Sequence, residues 1–249
     1  DDLAEDRKRD PLTVLKDQCI QDKIISKKEF EKVRNEIETQ VDSDAEWADA
    51  QDHPDVDTVL EHIYSVDTAV DEPEINAIAE KIVIVDAINH ALDEELANND
   101  KMVIYGQDVG GGKGGVFTAT RGLSDKYGIN RVFNSPLAES SIIGTAVGMA
   151  ILGYRPVIEI QFGDYIWYGM MQIRNEVATM RYRSNGKWSC PLVIRVPVGG
   201  YIHGSLCHSQ SIDGYFAHLP GIYIAYPSNA SDAKGLLKMA CRMDDPVMF

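Results

Sequence analysis

Cysteine is scarce in this sequence and scattered. Cys19, Cys190, Cys207 and Cys241 form no C-x-x-C pair and no metal-type spacing. That pattern argues against a disulfide or zinc framework and predicts reduced, structural thiols. Long apolar runs are also missing. None approaches the roughly 20 residues that a membrane-spanning helix needs, and the stretch DDLAEDRKRD at the start has no signal-peptide core. There is no G-x-S-x-G elbow, so a hydrolase built on His208 with Ser205 or Ser209 finds no support.

An excess of basic charge is absent as well. The 249 residues carry a net charge of −15, and the imbalance is local. Residues 1–80 hold 24 acidic and 9 basic side chains, whereas residues 81–249 hold 15 of each. An acidic appendage on a neutral body argues against nucleic acid as a partner, because phosphates repel it.

What is present falls into two textures. Residues 10–64 read as helices. Pro11 suits a first helical position after Asp10, and Ser26-Lys27-Lys28-Glu29 has the form of a capping box ahead of Phe30, Val33, Ile37 and Val41. A third helix is expected over Asp57–Tyr64, and residues 65–80 read as an acidic linker. From residue 81 apolar strands alternate with helices. Strands are expected at 101–105, 131–134, 156–160, 192–196, 222–225 and 246–249, with helices over 142–152, 168–183 and 230–242. The pattern predicts an α/β fold whose parallel sheet is covered by helices on both faces.

Three motifs carry chemistry. Glu139 stands in Asn134-Ser135-Pro136-Leu137-Ala138-Glu139, between a strand and a small-residue helix, with Arg131 the only basic side chain nearby in sequence. It is either a charge at a helix start or an acid awaiting a ligand. His208, in the polar loop 204–211, is a candidate acid/base or an exposed imidazole. The aromatic run from Phe162 to Tyr168 follows a strand, where open α/β sheets bind ligands. Gly110, Gly112 and Gly115 satisfy G-x-G-x-x-G but lack the following helix and the distant acidic residue, so a flexible loop is expected there and no nucleotide.

The stretches KIVIVDAINHALDEEL, VIYGQDVGGGKGGVFTATRGL, RVFNSPLAESSIIGTAVGMAILGYRPVIEIQFGDYI, NEVATMRYRSNGKW, PLVIRVPVGG, CHSQS, YFAHLPGI and DAKGLLKMACRMDDPV cover nearly all of residues 81–249. In that order and spacing they resemble the beta chain of the thiamine-diphosphate-dependent decarboxylating component of 2-oxoacid dehydrogenase complexes. RKRDPLTVLKDQCIQDKIISKKEFEKV resembles the tail of that component's alpha chain. The resemblance implies a fused alpha–beta enzyme, with residues 1–64 as alpha tail and 81–249 as the pyrimidine-binding, transketolase-like domain. The family's C-terminal domain and its GDG diphosphate–Mg²⁺ motif are not in the sequence.

The resemblance further implies roles. The glutamate matching Glu139 hydrogen-bonds the pyrimidine nitrogen and favours the imino tautomer, and the aromatic residue matching Tyr165 lies against that ring. The histidine matching His208 assists decarboxylation and acyl transfer to a lipoyl group. Where many relatives have glutamate, this sequence has Gln107, which would pass any relay role to Asp108. Backbone carbonyls matching Leu192, Ala240, Cys241, Met243 and Asp245 would hold potassium. The implied activity is oxidative decarboxylation of a 2-oxoacid, in a reduced compartment, cytoplasm or mitochondrial matrix. Tyr215-Phe216-Ala217-His218 and His208-Ser209-Gln210-Ser211 look more like branched-chain than pyruvate relatives, which favours a branched-chain substrate; the alternatives are a pyruvate dehydrogenase component or a silent assembly module. The implied partners are the alpha portion, which brings Mg²⁺, a lipoyl-bearing acyltransferase, and a second copy in a homodimer or α2β2-like assembly. Without the alpha portion the cofactor site is half complete, activity is not expected, and Ile142, Ile143, Ile166 and Trp167 should be partly exposed.

Overall fold

The computed structural model describes residues 2–66 and 81–249, which separate into two compact units, Asp1–Val59 and Leu60–Phe249. Most of the expected linker lies outside the described residues. Among those described, no helix is long and apolar enough to cross a membrane.

The first unit is helical: α1 (Asp2–Lys8), α2 (Pro11–Gln21) and α3 (Lys27–Asp49). Asp10 caps α2, its carboxylate accepting from the Leu12 and Thr13 N–H groups, with Pro11 in the first turn. The capping box of α3 is formed in both directions: the Glu29 N–H donates to Ser26 Oγ, and the Ser26 N–H donates to Glu29 Oε2. The third helix expected over Asp57–Tyr64 is instead a short 3-10 turn, Val56–Leu60.

The second unit begins before the expected boundary. The Tyr64 ring packs tilted against that of Tyr223, centroids 4.8 Å apart, and the Ser65 N–H donates to Asp245 Oδ2 at 2.8 Å. Its elements run α4 (Ile84–Asn98), β1 (Met102–Gly106), α5 (Leu123–Tyr127), β2 (Val132–Asn134), α6 (Glu139–Ile151), β3 (Arg155–Glu159), α7 (Met170–Gln172), α8 (Met180–Arg183), β4 (Val193–Arg195), α9 (Asp213–Phe216), β5 (Tyr223–Ile224), α10 (Ala230–Arg242) and β6 (Val247–Met248). The six strands form one parallel sheet in the order β2-β1-β3-β4-β6-β5.

Strand alternation explains the two cores. Val103, Tyr105, Ile158, Ile194 and Met248 face α6, Ile166, Ile173 and Phe216, while Met102, Ile104, Val157, Val193 and Val247 face α4 and α10. Both faces are therefore covered, as a parallel sheet requires. Salt bridges tie α4 to α10: Glu94 to Lys234 and Lys238, and Glu95 to Arg242.

One expected element is broken. The helix foreseen over 168–183 is a 3-10 run (Gly163–Gly169), the single turn α7, a π segment (Ile173–Val177) and α8. Close packing is the reason. A Cβ on Gly169 would lie 2.2 Å from Ile143 Cδ1, so this backbone lies directly against α6. The π segment then buries Ile173 and Val177 against the sheet.

Candidate functional site

The sheet order creates a switch point. From β1 the chain passes outward to β2, and from β3 it passes the other way to β4, so a crevice opens at the carboxyl ends of the adjacent strands β1 and β3. Such crevices are where open α/β sheets bind ligands. A cleft of about 630 Å³ lies there, lined by Gln107, Leu137, Ala138, Glu139, Ser140, Gln161, Tyr165 and Tyr168.

Glu139 is the first residue of α6, which begins three residues earlier than expected. The carboxylate is half-buried, sits in the positive first turn and lines the cleft. Among the described residues its side chain takes no hydrogen bond and no ion pair. Arg131, its nearest basic neighbour in sequence, is engaged elsewhere. That guanidinium donates to the carbonyls of Leu96, Asn99 and Met102, at 2.6–3.0 Å, closing the end of α4.

Tyr165 has two surroundings. It helps to line the cleft, and its hydroxyl meets His208 Nε2 at 2.6 Å. Phe162 stands edge-on to both rings, at 5.5 Å from Tyr165 and 4.6 Å from His208. His208 itself lines a second, mostly apolar cavity of about 830 Å³, together with Phe117, Phe162, Arg195 and Val198. Tyr165 therefore shares the cleft with Glu139 and contacts His208 through its hydroxyl.

Asp108 is not part of it. Its backbone takes a left-handed conformation (φ 61°), and its carboxylate pairs with Lys113 Nζ at 2.7 Å. Gln107 lines the cleft in its place, as do Gln161 and Tyr168; Tyr168 belongs to the aromatic run noted in the sequence, whereas the two glutamines were not assigned this role. The exposure forecast also needs correction. Ile142, Ile143 and Ile166 are core residues, and of the four only Trp167 is partly exposed; exposed apolar side chains at the cleft are Leu137 and Tyr168. Phe216 is fully buried and Tyr215 packs on Trp167, so neither reaches the cleft.

Several amides of the glycine-rich loop have partners within the fold. The Gly110 N–H donates to Asn134 Oδ1, that of Gly111 to Ser124 Oγ, that of Gly115 to the Asp108 carbonyl and that of Val116 to Glu159 Oε1. Under the loop, Glu159 and Arg195 face each other in register on β3 and β4 and form an ion pair almost entirely removed from solvent. Burial pushes the Arg195 guanidinium down to about 10. Gly115 is required here: its φ is 78°, and a Cβ would fall 2.7 Å from Glu159 Oε1.

Of the residues foreseen for potassium, Ala240 and Cys241 lie in the last turn of α10, Met243 and Asp245 just after it, and Leu192 just before β4. Leu192, Ala240, Cys241, Met243 and Asp245 are all buried. The Met243 carbonyl already accepts from Arg155 Nη1, and the Leu192 carbonyl from the Val247 N–H. The Asp245 carboxylate binds Arg181. Among the described residues no group of three or more His, Cys, Asp or Glu side chains converges as a metal site.

A family profile described as "Transketolase, pyrimidine binding domain" matches residues 80–249. The 2-oxoisovalerate dehydrogenase subunit beta of Bacillus subtilis (strain 168) is 52% identical over 165 residues, 66% of this chain and 50% of that protein. The pyruvate dehydrogenase E1 component subunit beta of the same organism is 46% identical over 169 residues, 68% of this chain and 52% of that protein. The mitochondrial 2-oxoisovalerate dehydrogenase subunit beta of Dictyostelium discoideum is 48% identical over 171 residues, 68% and 46% respectively. A solved structure described as a split-gene transketolase, inactive beta4 tetramer, has a similar fold, with a TM-score of 0.52 at 24% identity over 68% of this chain and 51% of that one. The chain spans about half the length of the curated relatives it matches.

Proposed function

This chain belongs to the transketolase pyrimidine-binding-domain family, and from that premise we propose that it forms the half of a thiamine-diphosphate site that holds the pyrimidine ring. One observation carries the reading. A carboxylate with no hydrogen-bond or ion-pair partner among the described residues, Glu139, shares a cleft with an aromatic ring, Tyr165, at the switch point of the sheet. A flat heteroaromatic base with a ring nitrogen fits that pair.

When bound, thiamine diphosphate supplies an electron sink for loss of CO₂ from a 2-oxoacid. The residues of this chain do the rest. Glu139 holds a proton between its carboxylate and the ring nitrogen. Tyr165 and Tyr168 bound the ring and keep water from it. The His208 imidazole handles a proton at the substrate. Gln107, and not Asp108, is the loop residue at the cleft. Mg²⁺ and the diphosphate belong, in this proposal, to an alpha-type portion.

The whole enzyme would decarboxylate a 2-oxoacid oxidatively and pass the acyl group to a lipoyl-bearing acyltransferase. A branched-chain acid is favoured, on the identity with the 2-oxoisovalerate relatives. The exposed apolar side chains Leu137 and Tyr168 at the cleft support an assembly in which the alpha-type portion covers them, in α2β2 fashion. Buried carbonyls at the end of α10 remain the proposed potassium site.

Glu139→Gln in the complete enzyme tests the reading. An amide keeps the shape but cannot exchange the proton, so turnover should be lost while circular dichroism stays unchanged. Full turnover in that variant sinks the assignment.

A further inference from the structure

The two ends of Tyr165 face different things. The residue lines the Glu139 cleft, and its hydroxyl meets His208 Nε2 at 2.6 Å. The other ring nitrogen of His208, Nδ1, lies 3.0 Å from the Gly204 carbonyl. A carbonyl oxygen only accepts, so Nδ1 must carry the hydrogen of the neutral imidazole. Nε2 is then the bare nitrogen, and the Tyr165 hydroxyl is its donor. Both contacts together select one tautomer and one ring orientation.

The loop around His208 is shaped for this arrangement. A Cβ on Gly204 would lie 2.4 Å from His208 Cβ, so only glycine lets that carbonyl come beneath the ring. His203 and Ser205 both take left-handed backbone conformations, with φ of 53° and 63°. The loop bonds largely to itself: the Gly204 N–H to Ser209 Oγ, Gln210 Nε2 to the Leu206 carbonyl, and the Gly199 N–H to the Gln210 carbonyl. Two successive residues of the 163–169 turn tie it to the cleft. Asp164 Oδ2 accepts from the Gln210 N–H at 3.4 Å, and Tyr165 donates to His208.

We propose that Tyr165 is a positioning residue for His208, its hydroxyl presenting Nε2 as the proton-accepting nitrogen while its ring serves the cleft. The ring and the hydroxyl thus have separable functions, and a ligand that moves the ring also moves the donor on the imidazole. The inference rests on the role proposed for His208, yet the hydrogen bond can be read without turnover.

The experiment is Tyr165→Phe, which keeps the ring and deletes the donor. In the 249-residue chain labelled with ¹⁵N-histidine, the His208 signals of the parent should show a neutral form dominated by Nδ1–H. In Tyr165→Phe the Nε2–H form should grow several-fold while the other imidazole signals stay in place. In the complete enzyme, affinity for thiamine diphosphate should stay within about twofold. Turnover should fall about fivefold, the worth of one neutral hydrogen bond, with a changed pH profile. An unchanged tautomer pattern overturns the inference, and so does parental turnover in Tyr165→Phe where His208→Ala is inactive. Should His208→Ala itself keep full turnover, the reading of His208 fails, and the tautomer measurement alone decides whether Tyr165 positions the ring.

Discussion

Replacing Glu159 with glutamine should cost this domain more stability than any exposed charge change. The pair it forms with Arg195 spans β3 and β4 in register, with 1% and 6% of the two residues exposed, respectively. Glutamine is nearly isosteric and keeps an acceptor for the Val116 N–H, which now donates to Glu159 Oε1 at 3.2 Å. The substitution therefore removes one charge and leaves Arg195 buried without its counterion. Breaking a buried pair from one side costs about 3–5 kcal/mol. For a unit of this size that is a fall of roughly 6–20 °C in Tm. The double variant Glu159→Leu with Arg195→Met removes both charges and leaves only the Val116 N–H unsatisfied, a loss of about 1–3 kcal/mol. Urea denaturation of parent, single and double variants gives the comparison. A single variant that loses less than about 1 kcal/mol, or a double variant less stable than the single, refutes the reasoning.

His208→Ala in the complete enzyme should lower decarboxylation or acyl transfer by about 10²–10⁴-fold with cofactor affinity little changed; activity within a factor of about two of the parent returns His208 to an ordinary loop residue. Acid should loosen α10 from α4. Burial alone would raise the Glu94 pKa, but hydrogen bonds from Lys234 and Lys238 outweigh it and hold the group below its usual 4.5. Its contribution is thus complete above that usual value and lost as pH falls through the lower folded value. Hydrogen exchange in α10 that does not change between pH 6 and pH 3 contradicts this. Potassium should raise Tm relative to a large organic cation, through the buried carbonyls of Ala240 and Cys241; equal Tm values in both salts remove the site.

The reason some of this was legible in the sequence, and some not, is physical. Helix ends governed by local chemistry were readable. Asp10-Pro11 and Ser26…Glu29 carry their own caps, and α10, with Asn229 accepting from the Asp232 N–H, has the bounds 230–242 that its spacing predicts. Glu139 and Tyr165 stood out by residue type, and the cleft holds both. The start of α6 was missed because Ala138 offers no side-chain cap. Asp108 was preferred to Gln107 because nothing local announces a left-handed aspartate, and that turn is what sends its carboxylate to Lys113. The split of 163–183 into 3-10, α and π pieces depends on Gly169 meeting Ile143, a contact across 26 positions of sequence that periodicity does not register.

The placement of β6 has a consequence for how the sheet is assembled. Last of the six strands in sequence, it lies between β4 and β5, and among the described residues β5 has no other strand partner. The β1–β2–β3–β4 portion can therefore pair early in synthesis, whereas β5 must wait for Val247 and Met248. At ribosomal rates of about 5–20 residues per second, the stretch from Arg195, the end of β4, to Val247 takes roughly 3–10 s to appear. Through that interval one edge of β4 is open, and the apolar faces meant for α10 are uncovered. Non-local parallel pairing of this kind folds slowly. A nascent chain paused before residue 247 presents an edge strand to its neighbours, which makes this interval the one in which a holding chaperone matters most.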